Sequence, residues 1–424
     1  MSYDVIIAGA GSSGLMAAVS AGESGAKTLL LDKGDRLGRK LGISGGGRCN
    51  VTNAKELDEL IKHIPGNGKY LHSALAVFSN RHIMDFFERL GIALKEEDNG
   101  RMFPITDKAK TVVDALVNKV RSLRVDIRVN SPVERVLYEG GRTVGVQLKS
   151  KEIIKASSVI VAVGGKSVPH TGSTGDGYAW AEEAGHTVTE LFPTEVPLTS
   201  RSSFILAKEL QGLSLRNVAL TILNAKEKPI IRHEGDMIFT HFGLSGPIAL
   251  RCSGFVVKEL RKNGGGEVKA TIDLMPERTA DELFSETLAL CKADSRKTIK
   301  NVLKGYYPER MLPIMFLKSG LRDDITYDNI PKGAWLALAR VAKAFPVRID
   351  GTLSIEEAFV TGGGVHLKEI DPRSMQSKLM PGLYFCGEVL DIHGYTGGYN
   401  ITAAFTTGYN AGRHAAERAM ELAR

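Results

Sequence analysis

Tyr3-Asp4-Val5-Ile6-Ile7-Ala8-Gly9-Ala10-Gly11-Ser12-Ser13-Gly14-Leu15-Met16-Ala17-Ala18-Val19-Ser20-Ala21 decides how this chain begins to fold. The β-branched run over residues 3–8 has no helical period and reads as a short buried strand. It runs straight into Gly9, Gly11 and Gly14 at G-x-G-x-x-G spacing, and residues 15–21 then read as a helix. Each glycine answers a different need of a nucleotide site. Gly9 permits the tight turn, Gly11 lets backbone approach a pyrophosphate, and Gly14 lets helix and strand pack closely. The helix start at Ser12 and Ser13 offers oriented N–H groups to an anion.

A second strand over residues 27–31 ends at Asp32, followed by Lys33. A carboxylate at that point grips a ribose hydroxyl pair and repels a 2′-phosphate, so FAD or NAD suits it better than NADP. The next patch separates those two. Gly38-Arg39-Lys40-Leu41-Gly42-Ile43-Ser44-Gly45-Gly46-Gly47-Arg48-Cys49-Asn50-Val51-Thr52-Asn53 stands where enzymes binding only a nicotinamide cofactor continue with a crossover helix. A polar, basic glycine loop instead points to backbone laid against a large flat ligand. Arg39, Lys40 or Arg48 then lie near its phosphates, with Leu41, Ser44, Gly45, Gly46, Gly47, Cys49 and Asn50 along it. Ser, Asn, Arg and Cys are interleaved here, unlike the Gly/Ser repeat of a flexible linker.

Composition bounds the rest. The chain has 424 residues, 43% hydrophobic and 24% charged, which is ordinary for a globular protein of two or three domains. No apolar run reaches the roughly 18 residues of a membrane span. The start, Met1-Ser2-Tyr3-Asp4, lacks a basic stretch, so no signal peptide is expected. Four cysteines with no CxxC pair argue against a disulfide framework or a dithiol site and for the cytoplasm. No metal-ligand spacing and no phosphate loop of the Gly-x-x-x-x-Gly-Lys type is present. The net charge of +7 is compatible with an anionic cofactor and with weak nucleic-acid contact.

Residues 38–53 resemble the signature of bacterial flavoproteins known as NAD(FAD)-utilizing dehydrogenases or aminoacetone-oxidase-like proteins, some of them described as bile-acid reductases. The resemblance covers the start to about residue 190 and again from about 355 to the end. More distantly, the chain resembles the flavoprotein subunits of fumarate reductase and the aspartate oxidases. It implies an α/β Rossmann-like FAD-binding domain of the two-dinucleotide-binding type, interrupted by an inserted β-rich plus helical domain. The expected plan is residues 1–192 and 358–424 for FAD, with 193–357 inserted: about 193–275 β-rich, about 276–345 helical.

The same resemblance implies further cofactor contacts. The strand ending Ala162-Val163-Gly164-Gly165 and the segment Thr174-Gly175-Asp176-Gly177 look like flavoprotein counterparts. The strand-rich residues 125–154 fit a small sheet, with backbone near Val133 holding the adenine. Gly387 and Glu388 would meet the ribityl chain. Gly397, Gly398, Tyr399, Asn400 and Ile401 would start a helix facing the pyrimidine end of the ring, where its dipole favours negative charge. Fumarate reductases carry an arginine after their His-Gly; here His393-Gly394 is followed by Tyr395-Thr396-Gly397-Gly398, which argues against dicarboxylate chemistry.

Arg48, His393 and Tyr395 are the candidate catalytic residues, as a carbonyl-polarising cation and as proton donors opposite the flavin. Cys49 and Cys386 read as small buried spacers. The expected activity is an FAD-dependent oxidoreductase moving hydride between flavin and a small organic substrate, with NADH or NADPH as transient donor. Two alternatives remain at this point: an RNA-modifying flavoprotein, though no Lys/Arg stripe interleaved with aromatics is seen, and a non-catalytic flavin-fold scaffold.

Overall fold

The nine residues Ile153–Val161 organise the first of two compact units. The computed structural model describes residues 2–422, so Met1 and the last two positions of the helix expected to reach Arg424 lie outside the described residues. Ile153–Val161 pairs in parallel with Ser2–Ala8 on one edge, beyond which come Thr28–Leu31 and Asp126–Arg128. Leu383–Phe385 pairs with it in parallel as well. Such strands are covered on both faces, which is why they read as unbroken apolar runs: Val5, Ile6, Ile7, Leu29, Leu30, Val159 and Ile160 are fully buried.

Residues 125–154 do not make a sheet of their own. The antiparallel hairpin Val133–Glu139 and Arg142–Leu148 joins the same seven-stranded sheet. The reason is strand length. Residues 153–155 bond the hairpin while residues 155–161 bond Ser2–Ala8, so one long strand belongs to both parts.

The Ser12–Glu23 helix and the 24-residue helix Tyr399–Leu422 cover this sheet and pack on each other. Gly408 and Gly412, four residues apart and therefore on one helix face, set how closely they meet. A Cβ on either would overlap a backbone carbonyl oxygen of the neighbouring helix, that of Ser13 or that of Ala17. Nearby, the expected glycine loop proves to be one helical turn and a bend. Gly38 starts the turn and Gly42 N bonds Gly38 O at 2.8 Å, then Ser44, Gly45 and Gly46 leave helical geometry. A small antiparallel sheet of Thr52–Asn53, Arg101–Pro104 and Leu94–Glu97 supports the bend from outside.

The second unit runs from Pro193 to Ser354. Its antiparallel sheet orders Phe345–Ile349, Val268–Asp273, Ser214–Leu223, Pro229–Phe239, Gly243–Ser245, Leu198–Thr199 and Gly351–Thr352. Leu220, Ile272, Phe239 and Phe345 from the sheet share one core with Trp335 and Leu338 from the helices. The stretch expected to be β-rich contains a 16-residue helix, Pro247–Lys262. Gly246 is its N-cap and Pro247 its first residue. Ile248, Ala249, Cys252 and Val256 form its buried face, while Gly254 and the Val256-Val257 pair obscure the helical period.

Gly408→Ala tests the helix contact. Glycine-to-alanine in a helix normally stabilises by about 1 kcal/mol, whereas overpacking costs typically 1–3 kcal/mol. The clash is with backbone, so overpacking wins here and the melting temperature falls. A melting temperature equal to or above that of the unmodified protein would contradict the packing described.

Candidate functional site

Four parallel strands end side by side, and each runs into one of the segments singled out in the sequence: residues 9–14, 32–34, 162–165 and 386–388. In open α/β sheets, ligands bind outside this carboxyl edge. Gly9 has φ +100°, and a Cβ there would stand 2.5 Å from Ala162 O, so only glycine permits the turn. Asp32 sits beside that turn, its two oxygens accepting Ala10 N and Gly34 N, each at 2.8 Å. A carboxylate has about four acceptor sites, so capacity remains for a ligand hydroxyl. Gly38 N bonds Ala10 O at 2.8 Å and Gly387 N bonds the Thr407 hydroxyl at 3.0 Å, bringing the bend and the C-terminal turn to the same edge. Residues 130–133 join them, since Ser131 N donates to Asp32 O at 2.8 Å, two residues before Val133.

The cationic candidates for cofactor contact, Lys33 beside the second strand and Arg39, Lys40 and Arg48 of the glycine bend, are each held by acids. Lys33 bonds Asp176 at 2.6 Å and also Thr174. Lys40 bonds Glu388 at 2.6 Å and the Ser167 hydroxyl at 2.9 Å, while Glu388 also accepts Thr361 N at 2.8 Å. These bonds bring Lys40 and Glu388, 348 residues apart, to one point beside Gly165. Arg39 pairs with Asp35. Arg48 is clasped by both oxygens of Glu97 at 2.8 and 2.9 Å, reaches Asp107 at 3.2 Å, and lies 4.0 Å over the Phe103 ring. Its charge is committed to a clasp that follows directly on the glycine bend.

The C-terminal loop is stitched to the bend and closed on itself. Asn53 Nδ2 donates to Gly397 O at 3.0 Å, and the Thr52 and Thr402 hydroxyls share a 2.7 Å bond. Asn400 accepts Gly394 N at 2.7 Å and donates to the carbonyls of Gly394 and Tyr395 at 2.9 and 3.2 Å. Gly398 and Ile401 flank the start of the Tyr399–Leu422 helix. His393 is buried with its ring edge-on to Phe192, and its backbone exchanges two hydrogen bonds with Gly66.

His63, absent from the sequence-derived candidates, joins this cluster. Its ring stacks on Tyr399 at 4.8 Å and meets Tyr395 edge-on at 6.3 Å. Its Nδ1 lies 2.7 Å from Glu59 O, which makes Nδ1 the protonated nitrogen when the ring is neutral. A lone histidine closing a six-residue helix carries no motif that would expose it in sequence.

Cys49 and Cys386 are fully buried, and burial pushes both thiols up to about 12, so they stay protonated and act as spacers. Among the described residues, no group of three or more His, Cys, Asp or Glu is arranged to hold a metal ion, and no helix is long and apolar enough to cross a membrane.

The site suits a dinucleotide on its own geometry. The Ser12–Glu23 helix begins at Gly11 with no side-chain cap, leaving its first N–H groups to an outside acceptor. Nothing lies within 4 Å of where a Cβ would stand on Gly11, Gly42, Gly46 or Gly47. Asn50 Oδ1 is buried without a hydrogen-bond partner. Free donors, open glycine faces and an orphaned acceptor match a ligand that carries phosphates and a hydrogen-bonding ring.

The clasp on Arg48 has a pH signature. Hydrogen bonds from Arg48 are the largest influence holding the Glu97 carboxyl down at about 2, below the usual carboxylate value of about 4.3. A depressed carboxylate stabilises the fold fully above its unfolded value, and that contribution is lost as pH falls through about 2. Glu97→Gln should therefore melt lower than the unmodified protein at pH 6, with the gap narrowing from about pH 4 downward. A gap independent of pH would contradict the clasp.

Comparison with known proteins agrees with this geometry. Residues 3–414 match the HI0933-like protein Rossmann domain. The chain is 30% identical to the 3-dehydro-bile acid delta(4,6)-reductase of Clostridium scindens, over 97% of this chain and 98% of that one. It is 32% identical to the ribosomal RNA dihydrouridine synthase of Escherichia coli, over 96% of each. Among solved structures, 3-ketosteroid delta1-dehydrogenase from Sterolibacterium denitrificans, in complex with 1,4-androstadiene-3,17-dione, shares the fold. It has a TM-score of 0.53 at 15% identity, covering 98% of this chain and 100% of that one. The chain belongs to the HI0933-like FAD-binding Rossmann family and is an FAD-dependent oxidoreductase.

Proposed function

We propose that this enzyme saturates a carbon–carbon double bond conjugated to a carbonyl in a small organic substrate, in the cytoplasm, with NADH or NADPH as electron donor. The observation that carries the reading is the glycine-lined edge where four strands end, beside a loop that bears Tyr395 and His393. The two relatives support it from different directions. One is named for reducing a bile acid and the other for making dihydrouridine, and both names describe adding hydrogen across a double bond next to a carbonyl. The scaffold alternative falls with the assignment to the oxidoreductases.

Bound FAD supplies two-electron hydride chemistry. The chain's own residues do the rest. The Ser12–Glu23 helix start would bind its phosphates, and the open glycines would present backbone to it. Asp32 would hold a ribose, and the Lys40–Glu388 pair would contact the ligand beside Gly165. The Tyr395 hydroxyl holds the proton that goes to the carbon next to the carbonyl, with His63 and Tyr399 fixing its surroundings. Overall, one hydride and one proton are added across the double bond as NAD(P)H becomes NAD(P)+.

A second reading, action on RNA, is favoured by one observation. Residues 193–354 hold 24 Lys and Arg against 18 Asp and Glu, while the rest of the chain holds 31 against 30. Nearly all of the excess positive charge therefore sits in the inserted unit, where a phosphate backbone would be attracted.

Tyr395→Phe decides the proton role. A general acid contributes about 10²–10⁴-fold, so substrate reduction should fall by about 100-fold or more while anaerobic bleaching of the flavin by NAD(P)H is unchanged. Equal loss in both half-reactions would remove Tyr395 from that role. Reduction of ribosomal RNA but of no free conjugated carbonyl compound, with binding that weakens steeply with salt, would favour the second reading.

A further inference from the structure

On the cofactor-binding unit lies a groove of about 340 Å³ that shares none of its lining with the cleft described above. Lys69, Lys368 and Lys378 stand around it, Leu367, Ile370 and Pro372 give it an apolar lining, and no acidic residue lines it. Lys69 and Lys368 pair with no carboxylate among the described residues, and Lys378 makes one 2.9 Å bond to Lys368 O, leaving further donors. Asp371, whose charge reaches both Tyr70 and Lys378, accepts Arg373 N, Ser374 N and the Ser374 hydroxyl on one of its oxygens.

A surface lysine cluster is ordinarily a solvated face. Tyr70 argues otherwise. Its side chain lines the groove, and its hydroxyl, buried beneath the surface, has no hydrogen-bond partner. Burial, reinforced by the charge of Asp371, pushes its pKa up, so it stays a neutral donor and acceptor. A buried unmatched hydroxyl is costly, and a small shift of the ring would offer it to a polar ligand in the groove. Three cations against the single nearby charge of Asp371 leave the concavity net positive, which favours an anion.

Size and position narrow the ligand. Pockets for small molecules run from about 300 to 1,000 Å³, so this one holds about a mononucleotide and not a second whole FAD. Asn67, on its wall, donates to Asp391 O at 2.7 Å, and the preceding residue, Gly66, is bonded to His393. The groove wall is thus tied by hydrogen bonds of Gly66 and Asn67 to the loop that carries His393 and Tyr395. We propose that it docks the phosphate-bearing adenosine end of a dihydronicotinamide dinucleotide, NADPH in preference to NADH, an assignment that rests on NAD(P)H being the electron donor. NADPH is preferred because the lining offers lysines for a 2′-phosphate and no carboxylate for a free ribose diol.

The test is anaerobic bleaching of the FAD-loaded enzyme over a range of NADPH and NADH concentrations. The variant Lys69→Ala/Lys368→Ala/Lys378→Ala should raise the half-saturating NADPH concentration at least tenfold, with the limiting rate and flavin content unchanged. NADH should shift less. Should the triple variant fail to fold, Lys69→Gln and Lys378→Gln singly should each raise half-saturation about threefold. Bleaching with unchanged half-saturation overturns the groove and leaves the donor reading standing. Absence of bleaching by either nucleotide overturns the donor reading and the groove with it. Loss of ribosomal RNA binding in the variant, with NADPH half-saturation unchanged, makes the groove a polynucleotide site and also overturns the proposal.

Discussion

Backbone lying against backbone where no Cβ would fit is the constraint on which this molecule depends. Gly9 meets Ala162 O in this way, and Gly408 and Gly412 bring the last helix onto the carbonyls of Ser13 and Ala17. The first contact joins the beginning of the chain to its middle, and the second joins the beginning to the end. Together they bring segments hundreds of residues apart to one sheet edge and leave unscreened N–H groups and bare glycine faces there. A phosphate-bearing ligand is recognised by those same features.

Charge is arranged with equal economy. The lysines and arginines near the cleft are not loose counterions: Lys33, Lys40 and Arg48 are each fixed by carboxylates from distant segments. Those pairs hold loops in place and leave backbone N–H groups, whose positions do not vary with a flexible side chain, as the unpaired donors at the sheet edge. Net positive charge is found elsewhere, in the groove lined by Tyr70 and in the excess of Lys and Arg over Asp and Glu in residues 193–354.

Much of this was legible in the sequence because certain positions admit few residue types. The strand, G-x-G-x-x-G, helix order and the acid at Asp32 each answer a local steric or electrostatic need, so order along the chain reveals them. Other features depend on partners that local pattern does not name. Arg48 reads as a phosphate or substrate ligand until Glu97 and Asp107, 49 and 59 residues on, are seen to clasp it. His63 gains meaning from rings more than 300 residues away. The Pro247–Lys262 helix was hidden because glycine and valine blur its period and because proline after glycine reads equally as a turn or a helix start. Residues 125–154 looked like a separate sheet because the sharing of Ile153–Val161 between two partners is a matter of register, which no propensity encodes.

The central claim is that these converging glycine segments form one FAD site, and the flavin content of the purified protein tests it most directly. The account predicts about one FAD per chain, released on denaturation, with the apoprotein regaining it from added FAD. A colourless protein that takes up no added FAD would contradict it.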